Sequence, residues 1–306
     1  MIIENLRELH RKWCYIKNSA EGYFWQLIIK INPELHANYE MKRQNQKLIR
    51  KVNLKDPVYF NEKMLWLKYY RYNHDSLVAQ CYNKYTVRSY IESKGLSNIL
   101  NDLYGVWDTI EDIDWNTLPD EFVMKVSNGY SGHVFKRNNE EFSIEKAKEQ
   151  LRSTLKKSAY YFKRSGDLFT YGTKQKIICE RLLHSNHGYT APEDYKFYCF
   201  NGEPKFIEVL KDRNGCNDYK YQELFMNIDL TDASEFEGEA SPGIMEAPKC
   251  YNEMVEIAKI LSQDFPFVRV DLYVENDKPI FGELTFTPYH AQTERSLIYL
   301  GELLEI

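Results

Sequence analysis

Hydrophobic positions near the start of the chain recur at a helical interval: Leu6, Leu9, Trp13 and Ile16, then Phe24, Leu27, Ile28 and Ile31. Spacings of three and four residues place such positions on one stripe of an α-helix. Residues 1–78 therefore read as a helical region. Its basic positions Lys42, Arg43, Lys47, Arg50 and Lys51 belong to a solvated helix face, and the apolar run 22–31 reads as a buried helix. Pro57 breaks the pattern, and the run from Phe60 to Leu67 opens a new helix with Asn61 as its cap. A further helix is expected over 82–94, stopped by Gly95.

Beyond residue 100 the period shortens. Leu103 to Trp107 has the texture of a strand, and Asp108 to Trp115 that of a short acidic helix or turn. Phe122 to Val126 and His133 to Lys136 flank Ser127-Asn128-Gly129-Tyr130-Ser131-Gly132, which reads as a hairpin with a small-residue tip. Residues 142–161 repeat as an amphipathic helix with Ser143 as its cap. A strand follows at 177–183. A hairpin turns on Asn201-Gly202, the strongest short hairpin signal. Residues 234–248 read as a surface loop and 251–261 as a helix. A closing hairpin joins 267–274 to 279–286, and 294–304 form a terminal helix.

The 306 residues are 43% hydrophobic, enough for a packed core, and the formal charge of −5 argues against a dedicated nucleic-acid binder. Cys14, Cys81, Cys179, Cys199, Cys216 and Cys250 show no C-x-x-C spacing, which points to free thiols in a reducing compartment rather than to disulfides or structural zinc. The first residues do not read as a signal peptide, and no apolar run reaches the roughly 20 residues of a membrane span. The expected setting is cytoplasmic, with peripheral contact at the inner membrane face left open.

The chemistry gathers on the closing hairpin. Arg269 and Asp271 are two apart and share a strand face, as do Glu283 and Thr285 on the partner strand. The turn brings Asp271 beside Glu283, and two carboxylates there repel unless a cation lies between them; an oxygen set of this kind suits Mg²⁺. Arg269 is placed to meet a transferring phosphoryl group. Apolar neighbours on both sides, Phe267 to Leu272 and Ile280 to Phe286, weaken the alternative of a surface salt bridge. A second group is Lys125 with the loop Ser127, Gly129, Ser131 and Gly132, suited to a flap over phosphates, although no P-loop motif is present. A third is Glu180 with the main chain of Arg181 and Leu182, suited to a ribose or adenine edge. Lys196 is a further candidate phosphate contact. An ordinary turn, an edge-strand ion pair and a solvated lysine are the plain readings of these last three.

Taken together, in this order, these pieces resemble the ATP-grasp superfamily, with Arg269-x-Asp271 and Glu283-x-Thr285-x-x-Pro288 close to the pattern of D-alanine–D-alanine ligases. The chain more specifically resembles the TupA-like ATP-grasp family, named for teichuronopeptide biosynthesis. Phe60-Asn61-Glu62-Lys63, Lys84-Tyr85-x-Val87-Arg88, Leu118-Pro119-Asp120-x-Phe122-Val123-x-Lys125, the run Asp194 to Gly202 and the run Phe281 to Pro288 carry that likeness. The resemblance implies an α+β fold of two subdomains gripping ATP. Its core would span 79–306, with a nucleotide part near 121–205 and a metal part near 206–306, behind the helical region 1–78. It implies ATP and Mg²⁺, a carboxylate substrate activated as an acylphosphate, and an amine co-substrate, joined on a uronic acid of a capsular or cell-surface polysaccharide. Lys125 and Lys196 would contact phosphates or adenine, Glu180 and the Leu182 backbone the adenosine, and Asp271 and Glu283 the metal. Arg269 would face the phosphoryl and tetrahedral charge. Thr285 departs from the superfamily's usual Asn and makes a poorer ligand.

Two other functions fit parts of the chain. Asp112-Ile113-Asp114 has the letters of a nucleotide-sugar transferase metal motif, and a kinase would use the same phosphate groups on a hydroxyl acceptor. Arg213, Tyr289, His290 and Arg295 are candidate substrate contacts.

Overall fold

The computed structural model describes residues 20–306 except 130, 139, 214–220, 239, 289, 290 and 292, with backbone alone at 159, 160 and 162. The expected stripe from Leu6 to Ile16 lies outside the described residues, as do Cys14, Tyr130, Cys216, Tyr289 and His290.

Helix α1 occupies 20–31 and α2 Pro33–Arg43, where the Asn32 side chain accepts from Leu35 N and caps the start. The apolar stripe of α1 does not face inward as its spacing predicts: Phe24, Leu27 and Ile31 are more than half exposed, while Ile29 is buried. Contact is made instead by the stripe of Gly22, Trp25 and Ile29. An added Cβ at Gly22 would lie 2.9 Å from Lys163, and Trp25 stacks on Tyr39 at 4.2 Å. The helical reading also overreaches at 44–59, which runs as bends and loop. Among the basic residues assigned there to a solvated face, Arg50 forks onto Glu62 at 2.9 Å.

That carboxylate organises the next element. Helix α3 (Phe60–Trp66) starts after Tyr59, not at Asn61, because Glu62 reaches back to accept from the Val58, Tyr59 and Asn53 amides. A carboxylate collecting orphan amides at a helix N-terminus replaces the expected Asn cap. The chain continues through a π turn (Leu67–Arg71) and a 3₁₀ turn (Tyr72–His74). The helix expected at 82–94 starts only at α5 (Val87–Ser93); Tyr82 instead ends a separate α4 (Ser76–Tyr82), because the Asn83 side chain accepts from Tyr85 N and Thr86 N and turns the backbone between them. Gly95 then stops α5 at φ +77°.

Strands β1 (Leu103–Trp107), β2 (Phe122–Val126), β3 (Val134–Lys136) and β4 (Ile177–Glu180) form an antiparallel sheet in the order β1-β4-β2-β3. Phe122, Met124, Val126, Ile177 and Cys179 point to one side and pack on Ala147 and Leu151 of α6 (Ile144–Ser165). By the alternation of a strand, Lys125 and Glu180 stand on the other side.

The second sheet holds β5 (Asp194–Phe200), β6 (Glu203–Lys211), β7 (Gln222–Asn227), β8 (Phe267–Glu275) and β9 (Lys278–Thr285), antiparallel in the order β7-β6-β5-β8-β9. Strand β7 has no counterpart in the sequence reading. The hairpin turns carry Asn201, Gly202, Asn276 and Asp277, all at positive φ, as a twist-matched two-residue turn requires. One face packs Phe197, Ile207, Val268, Val270 and Leu272 under α7 (Tyr251–Ser262). The strand of Lys196 thus belongs to this sheet, and the first sheet begins at 103, so the break between the sheets falls before residue 194 rather than near 205.

The segment from residue 60 is not separate from this core. Phe60 meets Phe267 edge-on at 5.4 Å, and α8 (Glu294–Leu303) closes over it. Gly301 permits that approach, since a Cβ there would lie 2.6 Å from Val58 O, and Lys63 Nζ donates to Leu304 O at 2.7 Å. Among the described residues no helix is long and apolar enough to cross a membrane.

Candidate active site

On the side of the first sheet away from α6, Lys125 Nζ donates to Glu180 Oε2 at 2.7 Å, and Arg88 Nη1 lies 3.8 Å from Glu180 Oε1. Glu180, the last residue of β4, is nearly buried, with these two cations as its partners. The chain then leaves the strand. The Arg181 amide donates to Asp102 O, and its carbonyl accepts from Asn101 Nδ2 at 2.8 Å. Its guanidinium lies 2.7 Å from Glu275 of the second sheet. The main chain of Arg181 is therefore occupied rather than open to a base edge. Leu182 follows, buried at its side chain, with no main-chain hydrogen bond among the described residues.

The loop after Lys125 divides in the same way. Ser127 is fully buried: its hydroxyl accepts from Lys176 N and its carbonyl from Lys84 N. This serine holds the sheet rather than opening onto the cleft. Beyond it, Ser131 is exposed, and Gly132 adopts φ +80° with its carbonyl accepting from Thr154 Oγ1. Lys84 Nζ donates to Gly129 O at 2.8 Å and stands 3.2 Å from Glu283 Oε2. One side chain thus ties the loop of the first sheet to a carboxylate of the second.

The polar face of the second sheet carries the remaining groups. Pairing sets Lys196 opposite Asp271, Asp271 opposite Glu283, and Arg269 opposite Thr285. Arg269 forks onto Asp271 through Nε at 2.7 Å and Nη2 at 2.6 Å. Nη2 also donates to Thr285 Oγ1 at 3.3 Å, and that hydroxyl donates to Glu283 Oε1 at 3.3 Å. Lys196 Nζ lies 3.1 Å from Asp194 and 3.8 Å from Asp271, and Arg213 lies 3.6 Å from Asp194. Tyr198 donates to the buried Glu208 at 2.7 Å.

The expected repulsion between Asp271 and Glu283 is thus already compensated. Asp194, Glu208, Asp271 and Glu283 face Lys84, Lys196, Arg213 and Arg269, four charges of each sign. From the sequence Lys196 and Arg213 read only as separate phosphate and substrate contacts; the fold brings them to this face from β5 and the segment after β6, with Lys84 from the turn before α5. Burial pushes the Asp271 carboxyl up, and Arg269 and Lys196 pull it back. Burial also acts to raise Glu283, but Lys84, Arg269 and Lys196 outweigh it and hold that carboxyl down, at about 2. Lys196 stays above the ordinary lysine value because Asp194 and Asp271 outweigh its desolvation and Arg269.

The chemistry of the donor set fits Mg²⁺: two cross-strand carboxylates and a hydroxyl, all hard oxygen groups, with Glu283 the open one at 39% side-chain exposure. Since the face is formally balanced, a divalent cation would arrive together with an anion such as a polyphosphate. His133, at the flap exit, adds a group the cleft has not satisfied. Its buried Nε2 has no partner among the described residues, and desolvation, then Lys125 and Lys84, push its pKa down to about 3.

Other sequence candidates fall elsewhere. Asp112 accepts from the Thr109 amide and hydroxyl, and Asp114 accepts from the Asn116 amide, so both carboxylates cap turns. Arg295 pairs on the surface with Glu235 at 2.8 Å. The cations that reasoning missed are Lys84 and Arg88. Lys84 stands in the turn before α5 and Arg88 in its first turn, so no helical spacing links them; both lie in the run Lys84-Tyr85-x-Val87-Arg88 that carries the family likeness.

Residues 62–303 match the family model described as TupA-like ATPgrasp. Among solved structures, the chain is similar to a D-alanine–D-alanine ligase from Bacillus anthracis complexed with ATP, at 15% identity over 74% of this chain and 61% of that one, with a TM-score of 0.42. The ligase of that name from Helicobacter pylori gives 17% identity, 74% and 59% coverage and a TM-score of 0.38. The ATP-grasp ligase PsnB, solved with a minimal precursor, Mg and ADP, gives 10% identity, 79% and 64% coverage and a TM-score of 0.40. The chain spans about three fifths of the length of these solved proteins. No curated protein matches it in sequence.

Proposed function

Since this chain belongs to the TupA-like ATP-grasp family, we propose that it is an ATP- and Mg²⁺-dependent ligase joining a carboxylate to an amine through an acylphosphate. The nucleotide lies between the two sheets. The Leu182 main chain and Glu180 hold the adenosine, while Lys125, Arg88, Lys196 and the backbone amides of Ser131 and Gly132 hold phosphates; the expected Gly129 amide is instead taken by Val126 O at 2.9 Å. Asp271, Glu283 and Thr285 hold Mg²⁺, which when bound neutralises phosphate charge and fixes the phosphates' orientation.

A carboxylate oxygen of the substrate attacks the γ-phosphorus. The bond from that phosphorus to the β,γ-bridging oxygen breaks, and ADP leaves. The amine nitrogen then attacks the acyl carbon. Phosphate departs with the electron pair of its C–O bond, and the amine gives up a proton to solvent. Arg269 is held rigid by Asp271 and Tyr198, and it presents a fixed positive charge to the oxygen that becomes negative. The acceptor we favour is a uronic acid of a cell-surface polysaccharide, following the family likeness, with an amino acid or other amine as the second substrate.

The observation that carries this reading is Lys84, which brings the glycine loop of one sheet to Glu283 of the other and so makes one cleft of two charged sets. The transferase reading lacks such support, because Asp112 and Asp114 are spent on turns. The test is ADP release by the purified chain with ATP, Mg²⁺, a uronic acid and an amine panel. Amide and ADP should form in equal amounts, and Asp271→Asn or Glu283→Gln should slow both by about a hundredfold or more. Turnover unchanged in either variant would sink the metal assignment. A phosphorylated product formed without amine would make the enzyme a kinase.

A further inference from the structure

Helix α1 has two apolar sides. Gly22, Trp25 and Ile29 face the protein, whereas Tyr23, Phe24, Leu27 and Ile31 stand together on the other side at helical spacing, each more than half exposed. A run of rings carries that side across to α2. Phe24 lies 5.1 Å from Trp25, Trp25 stacks on Tyr39 at 4.2 Å, and Leu35 stands one turn before Tyr39, both of these last exposed. Six of the 16 exposed large apolar side chains among the described residues thus fall within 23–39, and the others are spread over the remaining chain. Single exposed apolar residues are ordinary on a protein surface, but a contiguous set marks a place of contact.

The charge around this patch differs from that of the rest of the molecule. Residues 1–55 hold 11 basic and 5 acidic side chains, a formal +6, in a chain whose whole charge is −5, so residues 56–306 carry −11. Lys30 of α1 and Lys42 of α2 are exposed and have no ion-pair partner among the described residues. Lys163 Nζ lies over the Tyr23 ring at 4.5 Å. The acids of α2 are engaged elsewhere: Glu40 is buried and accepts from Arg43, and Glu34 accepts from the Leu54 amide. In sequence, residues 1–19 repeat the same combination, with Leu6, Leu9, Trp13 and Ile16 among Arg7, Arg11, Lys12 and Lys17.

We propose that this face of α1 and α2 docks on a lipid bilayer that carries anionic headgroups. The inference stands apart from the ligase reading. A helix lying on a membrane buries an apolar side at the headgroup boundary and keeps lysines beside it to meet anionic lipid. Tyr23, Phe24, Leu27 and Ile31 supply the first part, and Lys30, Lys42 and Lys163 the second. Two other occupants fail on charge. A second copy in a two-fold interface would set the same basic surface against itself. Residues 1–19 are net positive as well, with four basic and two acidic side chains. An anionic bilayer complements both the apolar side chains and the charge.

The test sediments the full chain with extruded vesicles and measures the bound fraction. One set is phosphatidylcholine alone, and the other is an equal mixture of phosphatidylcholine and phosphatidylglycerol. The mixed vesicles should bind the chain at least about tenfold more tightly than the neutral ones, and the difference should shrink as salt is raised. Leu27→Gln with Ile31→Gln should weaken binding to the mixed vesicles by at least about tenfold, through the apolar area lost. Lys30→Gln with Lys42→Gln should weaken it by about tenfold on the mixed vesicles and leave neutral vesicles unaffected. All four positions are exposed, so both double variants should melt at the wild-type temperature. None of these readouts depends on catalysis. Absence of binding to mixed vesicles, equal binding to neutral ones, or binding that the Leu27 and Ile31 substitutions leave unchanged overturns the proposal. So does a dimer in sedimentation velocity that those two substitutions split, because the face would then belong to a second copy.

Discussion

Replacing Arg269 with Ala should cost far more stability than a surface ion pair could, and removing its partner as well should restore most of the loss. Asp271 is 2% exposed and Arg269 7% exposed, and two short bonds of 2.7 and 2.6 Å join them. Arg269→Ala leaves a carboxylate in the sheet interior. Breaking a buried pair from one side costs about 3–5 kcal/mol. Lys196, 3.8 Å from Asp271, remains as partial compensation, so the lower end of that range is expected. With a slope of about 3 kcal/mol per molar urea, the midpoint should fall by about 1 M. The double variant Arg269→Met with Asp271→Leu removes both charges and keeps the volume, and it should return to within about 1 kcal/mol of the wild type. Tryptophan fluorescence during urea unfolding measures all three, and ADP release should be lost in each variant. An Arg269→Ala protein within about 1 kcal/mol of wild type would refute the reasoning, because it would mean that water reaches the pair.

Three further outcomes follow from the geometry. Lys84→Met should slow ADP release strongly while shifting Tm little, since its partner Glu283 is 39% exposed and stays in reach of water when the bridge to Gly129 O is lost; a large Tm drop with normal turnover would make Lys84 purely structural. Gly132→Ala should lower Tm and weaken nucleotide binding, because the residue sits at φ +80° and its Cβ would lie 2.1 Å from Thr154 Oγ1; calorimetric titration with ATP and Mg²⁺ checks it. His36 is buried, with Nε2 donating to Arg164 O and Nδ1 accepting from Tyr69, and burial pushes its pKa down to about 4. The neutral ring contributes stability that is complete above pH 6.5 and is lost as pH falls toward 4, at most about 3 kcal/mol. His36→Gln should therefore show a shallower acid limb in urea midpoints across that window, with His133 supplying part of what remains.

The closing hairpin was legible because its signals are local. Apolar residues on both sides of Arg269 and Asp271 mark a covered strand, and the turn at Asn276-Asp277 sets the register that pairs Asp271 with Glu283. What neutralises that pair was not legible. Lys84 and Lys196 reach it from segments distant in sequence, and no local period encodes such contacts. The break at Asn83 is an intermediate case: an Asn followed by two amides it can accept from competes with the helix, and the apolar spacing hides this. Helix α1 shows the limit of periodicity. Its apolar stripe is real, but a helix can also pack through glycine and tryptophan, and here Gly22 and Trp25 mark the contact side.

The clasp between the two ends of the described chain has a consequence for synthesis. Phe60 waits for Phe200 and Phe267, Val58 for Gly301, and Lys63 for a carbonyl 241 positions later. Contacts so distant in sequence form slowly. On the ribosome α2 and α3 emerge long before the strands and the last helix that bury them. At about 5–20 residues per second, their greasy side stays uncovered for on the order of ten seconds or more. This chain should therefore depend on holding factors during translation, and truncation before α8 should yield a protein that aggregates rather than one that folds and lacks activity.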